Sequence, residues 1–183
     1  GLGHRLASLQ LDAAEAAAAE RTLAASDAPG LPERLQAERA MLLAKARAAQ
    51  GDLAGATAGL SALATPAADD LRARLLESAR DWRGALAALN DLTAKVVPPS
   101  GPVAGAAADL VLRQASAAVQ AGDAALLHDL NTRYANRLAG PRAELFQVLT
   151  AAPVGGVGDL PRAAKEVALA RAVPGRLGEM ASQ

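Results

Sequence analysis

Gly155, Gly156 and Gly158, clustered ahead of Asp159 and a helix that Pro161 would open, come closest in this chain to a chemical motif. Glycines at a helix start can cradle a phosphate, because bare backbone amides point at the anion. Here no strand leads in, no lysine follows at the phosphate-binding offset, and Pro161 removes an amide donor. The segment therefore reads as a loop between helices. His4 and His128 lie far apart, and beyond the adjacent Asp129 neither has a histidine or carboxylate at a metal-ligand offset. Both read as surface or half-buried side chains. With no nucleophile elbow, no paired His–Glu helix motif and no calcium loop, the expectation is a chain without catalysis, metal or cofactor.

Composition narrows the elements that could position any site. About half of the 183 residues are apolar, yet Trp82, Tyr134 and Phe146 are the only aromatics, so leucine, valine and alanine must build the core. Alanine is the best helix former and holds helices apart least. No alternating β-branched run is long enough for a strand, so the expected fold class is all-α. The formal net charge is zero, so no overall field attracts nucleic acid or anionic lipid. Cysteine is absent, which excludes disulfides and thiolate metal sites and suits the cytoplasm or the periplasm equally. The apolar stretch from Val103 to Val111 is broken by Gly105 and Asp109 and is too short to span a bilayer, so the chain reads as soluble. The excess of arginine over lysine, together with the alanine content, is what a GC-rich bacterial genome tends to encode.

Turn residues punctuate the chain clearly. Pro32 can open a helix to about Gln50; Thr65-Pro66, an N-cap followed by a residue with no amide to lose, opens one to about Arg80. Another runs from Asp81 to about Lys95, and Pro98-Pro99-Ser100-Gly101-Pro102 must be a loop. Two helices fit between Val103 and Leu138, split at Gly122-Asp123, and Gly140-Pro141 restarts the chain. Within these segments the apolar residues step by three, four or seven, as in Leu35, Leu42, Ala46 and Ala49, and in Leu127, Leu130, Tyr134 and Leu138. Each helix has one apolar side, so the helices must pack in pairs.

A pattern recurs across the breaks. Asp52, Ala56, Leu60 and Leu63 have the same offsets as Asp81, Ala85, Leu89 and Leu92; Asp12, Ala16 and Leu23 fit in part, and Asp123, Leu127 and Tyr134 begin the pattern again. The aspartate caps a second helix, the small residue lets it sit close to the first, and the leucines face the next pair. In the segments Ala48-Ala49-Gln50-Gly51-Asp52-Leu53-Ala54-Gly55-Ala56, Ser78-Ala79-Arg80-Asp81-Trp82-Arg83-Gly84-Ala85 and Val119-Gln120-Ala121-Gly122-Asp123, the chain resembles the tetratricopeptide family. The aspartates are separated by 40, 29 and 42 residues, where the family keeps about 34, and its aromatic positions are mostly Leu, Ala or Arg here.

The resemblance implies a tetratricopeptide-like α-solenoid of irregular helical hairpins, roughly nine or ten helices in all. Residues 1–138 would form the hairpin repeats, and 139–183 the C-terminal helices and an irregular capping segment of the same domain. Asp12 lies so near the start that it leaves room for only the end of a first helix, which implies further repeats upstream in a longer bacterial protein. The family's mode of action implies a scaffold or adaptor that holds a peptide or helix in a groove lined by first helices, with Glu38, Lys45, Asp70, Arg74, Glu77, Asp109, Arg113, Ser116 and Gln120 facing it. The family's carboxylate clamp of Lys and Asn has no counterpart, since Asn90, Asn131 and Asn136 fall on second helices. The expected partner is another protein or peptide, with no nucleic acid and no membrane span. The alternative is a structural subunit of a larger bacterial envelope or motility assembly. Trp82, just after a capping aspartate, is expected to pack between helices, as are Tyr134 and Phe146.

Overall fold

A computed structural model describes residues 2–151, and within them the chain is all-helical: α1 (Leu2–Asp12), α2 (Ala16–Ala25), α3 (Glu33–Ala49), α4 (Leu53–Ser61), α5 (Pro66–Ser78), α6 (Trp82–Val96), α7 (Gly105–Ala121), α8 (Ala124–Tyr134) and α9 (Pro141–Thr150). The expected glycine-rich segment from Pro153 and the helix at Pro161 lie outside the described residues. The chain groups into two compact units, one of residues 1–92 and one from 93 onward, so the division falls inside α6.

One turn geometry recurs four times. At α1–α2, α3–α4, α5–α6 and α7–α8 a residue with positive φ sits between the helices: Ala14 at 61°, Gly51 at 88°, Arg80 at 59° and Gly122 at 68°. Each of these residues donates its amide to the carbonyl three residues back, and the next residue donates to the carbonyl five residues before it. Gly51 N to Ala48 O at 3.0 Å and Asp52 N to Arg47 O at 2.9 Å set the pattern, which Arg80 and Asp81 repeat at 3.0 and 2.9 Å. This doubly bonded, left-handed end satisfies the carbonyls that a helix terminus leaves open. The following aspartate then caps the second helix: Asp52 accepts from Gly55 N at 2.8 Å, Asp81 from Gly84 N at 3.0 Å and Asp123 from Leu126 N at 3.0 Å.

At the first hairpin the structure corrects the reading of Asp12. Asp12 is the last residue of α1, and the residue at the cap position is Glu15, which makes no side-chain cap bond. The register therefore moves by three: Ala19 and Leu23, four and eight residues after Glu15, take the places of Ala56 and Leu60 after Asp52, and all four are buried. The turn carries alanine where the others carry glycine or arginine, and glutamate where they carry aspartate, so residue type alone did not reveal it. As a result α1 has a full 11 residues, where only the end of a helix was expected.

In the first unit, α1 packs on α2, both contact α3, α3 packs on α4, and α5 contacts α3 and α4. Ala7, Ala19, Leu23 and Ala46 form one buried cluster with Leu11, Leu42 and Leu43 against it; Ala44, Ala56, Leu60 and Ala68 form the next, with Met41, Leu63, Leu71 and Leu75. Arg72 of α5 ties neighbouring helices together, donating to Ser61 Oγ at 2.6 Å and to Asp91 of α6 at 2.5 Å. Ala49, expected on the apolar stripe of α3, is exposed, and Trp82 is half-buried.

In the second unit α7, α8 and α9 pack pairwise, and α7 is buried on most sides, with Leu110, Val111, Leu112, Ala115 and Ala118 inside. Phe146 and Tyr134 are core residues, as expected. The proline-rich loop is fastened by Arg137, whose Nε donates to Gly101 O at 2.7 Å and Nη2 to Pro98 O at 2.6 Å, while Val103 N donates to Arg137 O at 2.8 Å. The guanidinium also sits 5.2 Å from the Tyr134 ring centroid. Asn136 lies in the turn after α8 rather than on a helix.

Candidate functional site

An open cleft of about 430 Å³ runs across the first helices of the first unit. His4 of α1, Glu38, Met41, Leu42 and Lys45 of α3, and Ala67, Asp70, Leu71 and Arg74 of α5 line it. The spacing explains why. On both α3 and α5 the lining residues stand at i, i+3, i+4 and i+7, one face of a helix.

The two sets also occupy equivalent places in their hairpins. Asp52 and Asp81 are 29 residues apart, and the same interval relates Glu38 to Ala67, Met41 to Asp70, Leu42 to Leu71 and Lys45 to Arg74. Counted back from Glu15, 37 residues before Asp52, the counterpart of Met41 is His4. The lining residues of α3 and α5 thus hold the same places relative to Asp52 and Asp81, and His4 of α1 holds one of those places relative to Glu15.

Met41, Leu42, Ala67 and Leu71 give the cleft an apolar floor, while its charges differ in how they are engaged. Glu38 accepts from Arg34 Nε at 2.9 Å, and Asp70 from Arg74 Nε at 2.9 Å. Both are i, i+4 pairs of the exposed kind that add only a few tenths of a kcal/mol. Lys45 is exposed and has no hydrogen-bond or ion-pair partner among the described residues. His4 Nδ1 is buried and likewise unpartnered. An occupant with aliphatic side chains and a carboxylate would cover the floor and meet Lys45.

Of the expected groove residues, the structure brings Glu38, Lys45, Asp70 and Arg74 together here. Glu77 lies farther along α5, outside the lining. Asp109, Arg113, Ser116 and Gln120 all stand on α7, in the second unit. Asp109 is engaged there: Arg142 of α9 donates to it through Nε at 2.6 Å and Nη2 at 3.2 Å, and this pairing raises the Arg142 pKa. Met41, Leu42, Ala67 and Leu71 were not among the expected residues because only polar side chains were expected to face the groove, and His4 was expected as an ordinary surface or half-buried histidine. The interval of 29 between the capping aspartates was the available signal.

A larger opening of about 640 Å³ lies between α2 and α3. Its polar groups satisfy one another: Arg39 donates to Leu23 O at 2.5 Å and Ser26 Oγ at 3.2 Å, and Glu20 accepts from Arg47 at 3.2 Å and Gln50 at 2.8 Å. Those bonds join the two helices and offer little to a ligand. Among the described residues no cluster of His, Asp and Glu could hold a metal, and no helix is long and apolar enough to cross a membrane. Against known proteins the chain matches no family model, no curated protein and no solved structure, so the use of the cleft has to be argued from its own residues.

Proposed function

We propose that this chain is a protein-interaction module, a tetratricopeptide-like stack of helical hairpins from a bacterial scaffold or adaptor, that holds a peptide or helix in the cleft across α1, α3 and α5. One observation carries the reading: equivalent positions of consecutive hairpins line a single open cleft with an apolar floor and an unpartnered lysine. A row of equivalent faces suits a linear ligand, whose own side chains repeat along its length. Mixed charge at the rim suits polar contacts that set register over an apolar anchor.

A displayed library of random peptides tests the reading. Enriched peptides should pair aliphatic residues with Asp or Glu, and their binding should fall at least tenfold with Met41→Asp or Leu71→Asp, the cost of about 1.4 kcal/mol or more at an apolar anchor. Lys45→Glu should shift the preference away from acidic peptides. Enrichment of no peptide, or binding indifferent to all three substitutions, would refute the proposal. Met41 and Leu71 are only partly buried, so circular dichroism can verify that the variants fold.

A further inference from the structure

The helix α1 has two apolar sides. One packs inward through Ala7 and Leu11. The other carries Leu2, Leu6 and Leu9, which are 87%, 50% and 65% exposed. Their spacing of four and then three residues puts them on one stripe, the a and d positions of a helix seam. A helix that is apolar on opposite sides is built to be covered on both.

The neighbouring hairpins show what this side is for. By the interval of 37 residues, Leu2, Leu6 and Leu9 correspond to Arg39, Leu43 and Ala46 of α3, and by the further interval of 29 these correspond to Ala68, Arg72 and Leu75 of α5. Ala46 and Leu43 pack against Ala7, Ala19 and Leu23; Ala68 and Leu75 pack against Ala44, Ala56 and Leu60. The side chains of Arg39 and Arg72 are only 11% and 12% exposed. In α3 and α5, then, this face meets a helical neighbour. In α1 it meets none among the described residues.

The charges beside the stripe select the neighbour. Arg5 and Asp12 are seven residues apart, on one flank of the stripe, and both are exposed with no ion-pair partner among the described residues. Turn a second α1 antiparallel, with Leu6 of one copy against Leu9 of the other. The two-fold axis then brings Arg5 of each copy alongside Asp12 of the other, twice over. The stripe and its flank are thus complementary to themselves, and a net charge of zero leaves no overall repulsion between copies. We infer that α1 is a self-association surface, where two copies of this chain pair antiparallel through Leu2, Leu6 and Leu9.

Light scattering or sedimentation equilibrium on the full chain tests this directly. The average mass should rise with concentration from 18.4 kDa toward twice that value. Leu6→Glu, at an exposed position and so without cost to the fold, should hold the chain monomeric. Arg5→Asp should weaken association about five- to tenfold, the effect of losing exposed ion pairs, and Arg5→Asp combined with Asp12→Arg should restore it. A chain that stays monomeric up to about 1 mM, the weak end of specific binding, would overturn the inference. So would association that Leu6→Glu leaves intact. Loss with Leu6→Glu but no response to the charge reversals would overturn the antiparallel arrangement.

Discussion

Glycine at two helical positions illustrates how context decides the effect of one methyl group. At Gly3 an added Cβ would lie 2.2 Å from Ser26 Oγ and 2.4 Å from Ser26 Cβ. Ser26 is held in place, donating to Thr22 O at 2.6 Å and accepting from Arg39 at 3.2 Å, so it cannot move aside cheaply. Gly3→Ala should therefore cost about 2 kcal/mol in chemical unfolding, although alanine is the better helix former. At Gly55 the added Cβ would meet Asp52 Oδ2 at 2.1 Å, the carboxylate that caps α4. Displacing it loses about 1 kcal/mol of capping, while the alanine adds about 1 kcal/mol of helix propensity. Gly55→Ala should leave stability nearly unchanged. The pattern of glycines was plain in the sequence, but which of them faces a fixed neighbour was not.

At the scale of the elements, the helix starts were the most legible feature. Pro32, Thr65-Pro66, Asp81 and Gly140-Pro141 each begin a helix within a residue of the expected place, because proline and capping side chains act through local backbone chemistry. The first hairpin was misread for the converse reason. Ala14 has a φ of 61°, a conformation that costs an L-residue roughly 1 kcal/mol and that no local signal announces; packing of α1 on α2 must impose it. The loop of residues 97–104 joins these two lessons. Its prolines forbid a helix, yet its path depends on a distant side chain, Arg137. Arg137→Ala should speed hydrogen exchange at Val103 and lower stability by about 1–2 kcal/mol, as charged donors to two carbonyls and a cation–π contact are lost. Arg137→Lys should not restore it, since one ammonium cannot reproduce the planar fork.

For the whole molecule, acid is the informative perturbation because each unit holds a carboxylate whose pKa is lowered by its partners. Gln50 and then Arg47 hold the Glu20 carboxyl below the usual glutamate value, and Arg133 holds that of Asp129 below the usual aspartate value. A carboxylate with a depressed folded pKa stabilises the fold above its unfolded value, and that stability is lost as pH falls through the folded value. Thermal midpoints should thus decline as pH falls below the ordinary carboxylate range, about pH 4. Glu20→Gln with Asp129→Asn should lower the midpoint at neutral pH and flatten its fall in acid. A decline as steep as in the parent chain would show that other groups govern acid sensitivity.

The sequence by itself determined that the chain is helical, where most helices start, and that aspartates cap the later hairpins. These are consequences of local chemistry: alanine's helix propensity, proline's missing amide and the reach of a carboxylate to the next turn. Four of the nine residues to which the resemblance pointed, Glu38, Lys45, Asp70 and Arg74, line the cleft, since the helical period puts them on one face of α3 and of α5. Only the tertiary structure decided that Asp12 ends α1, that Asp109 is engaged by Arg142, and that Leu2, Leu6 and Leu9 are exposed. Each of those depends on which helix lies alongside, and that is settled by packing between residues far apart in the chain.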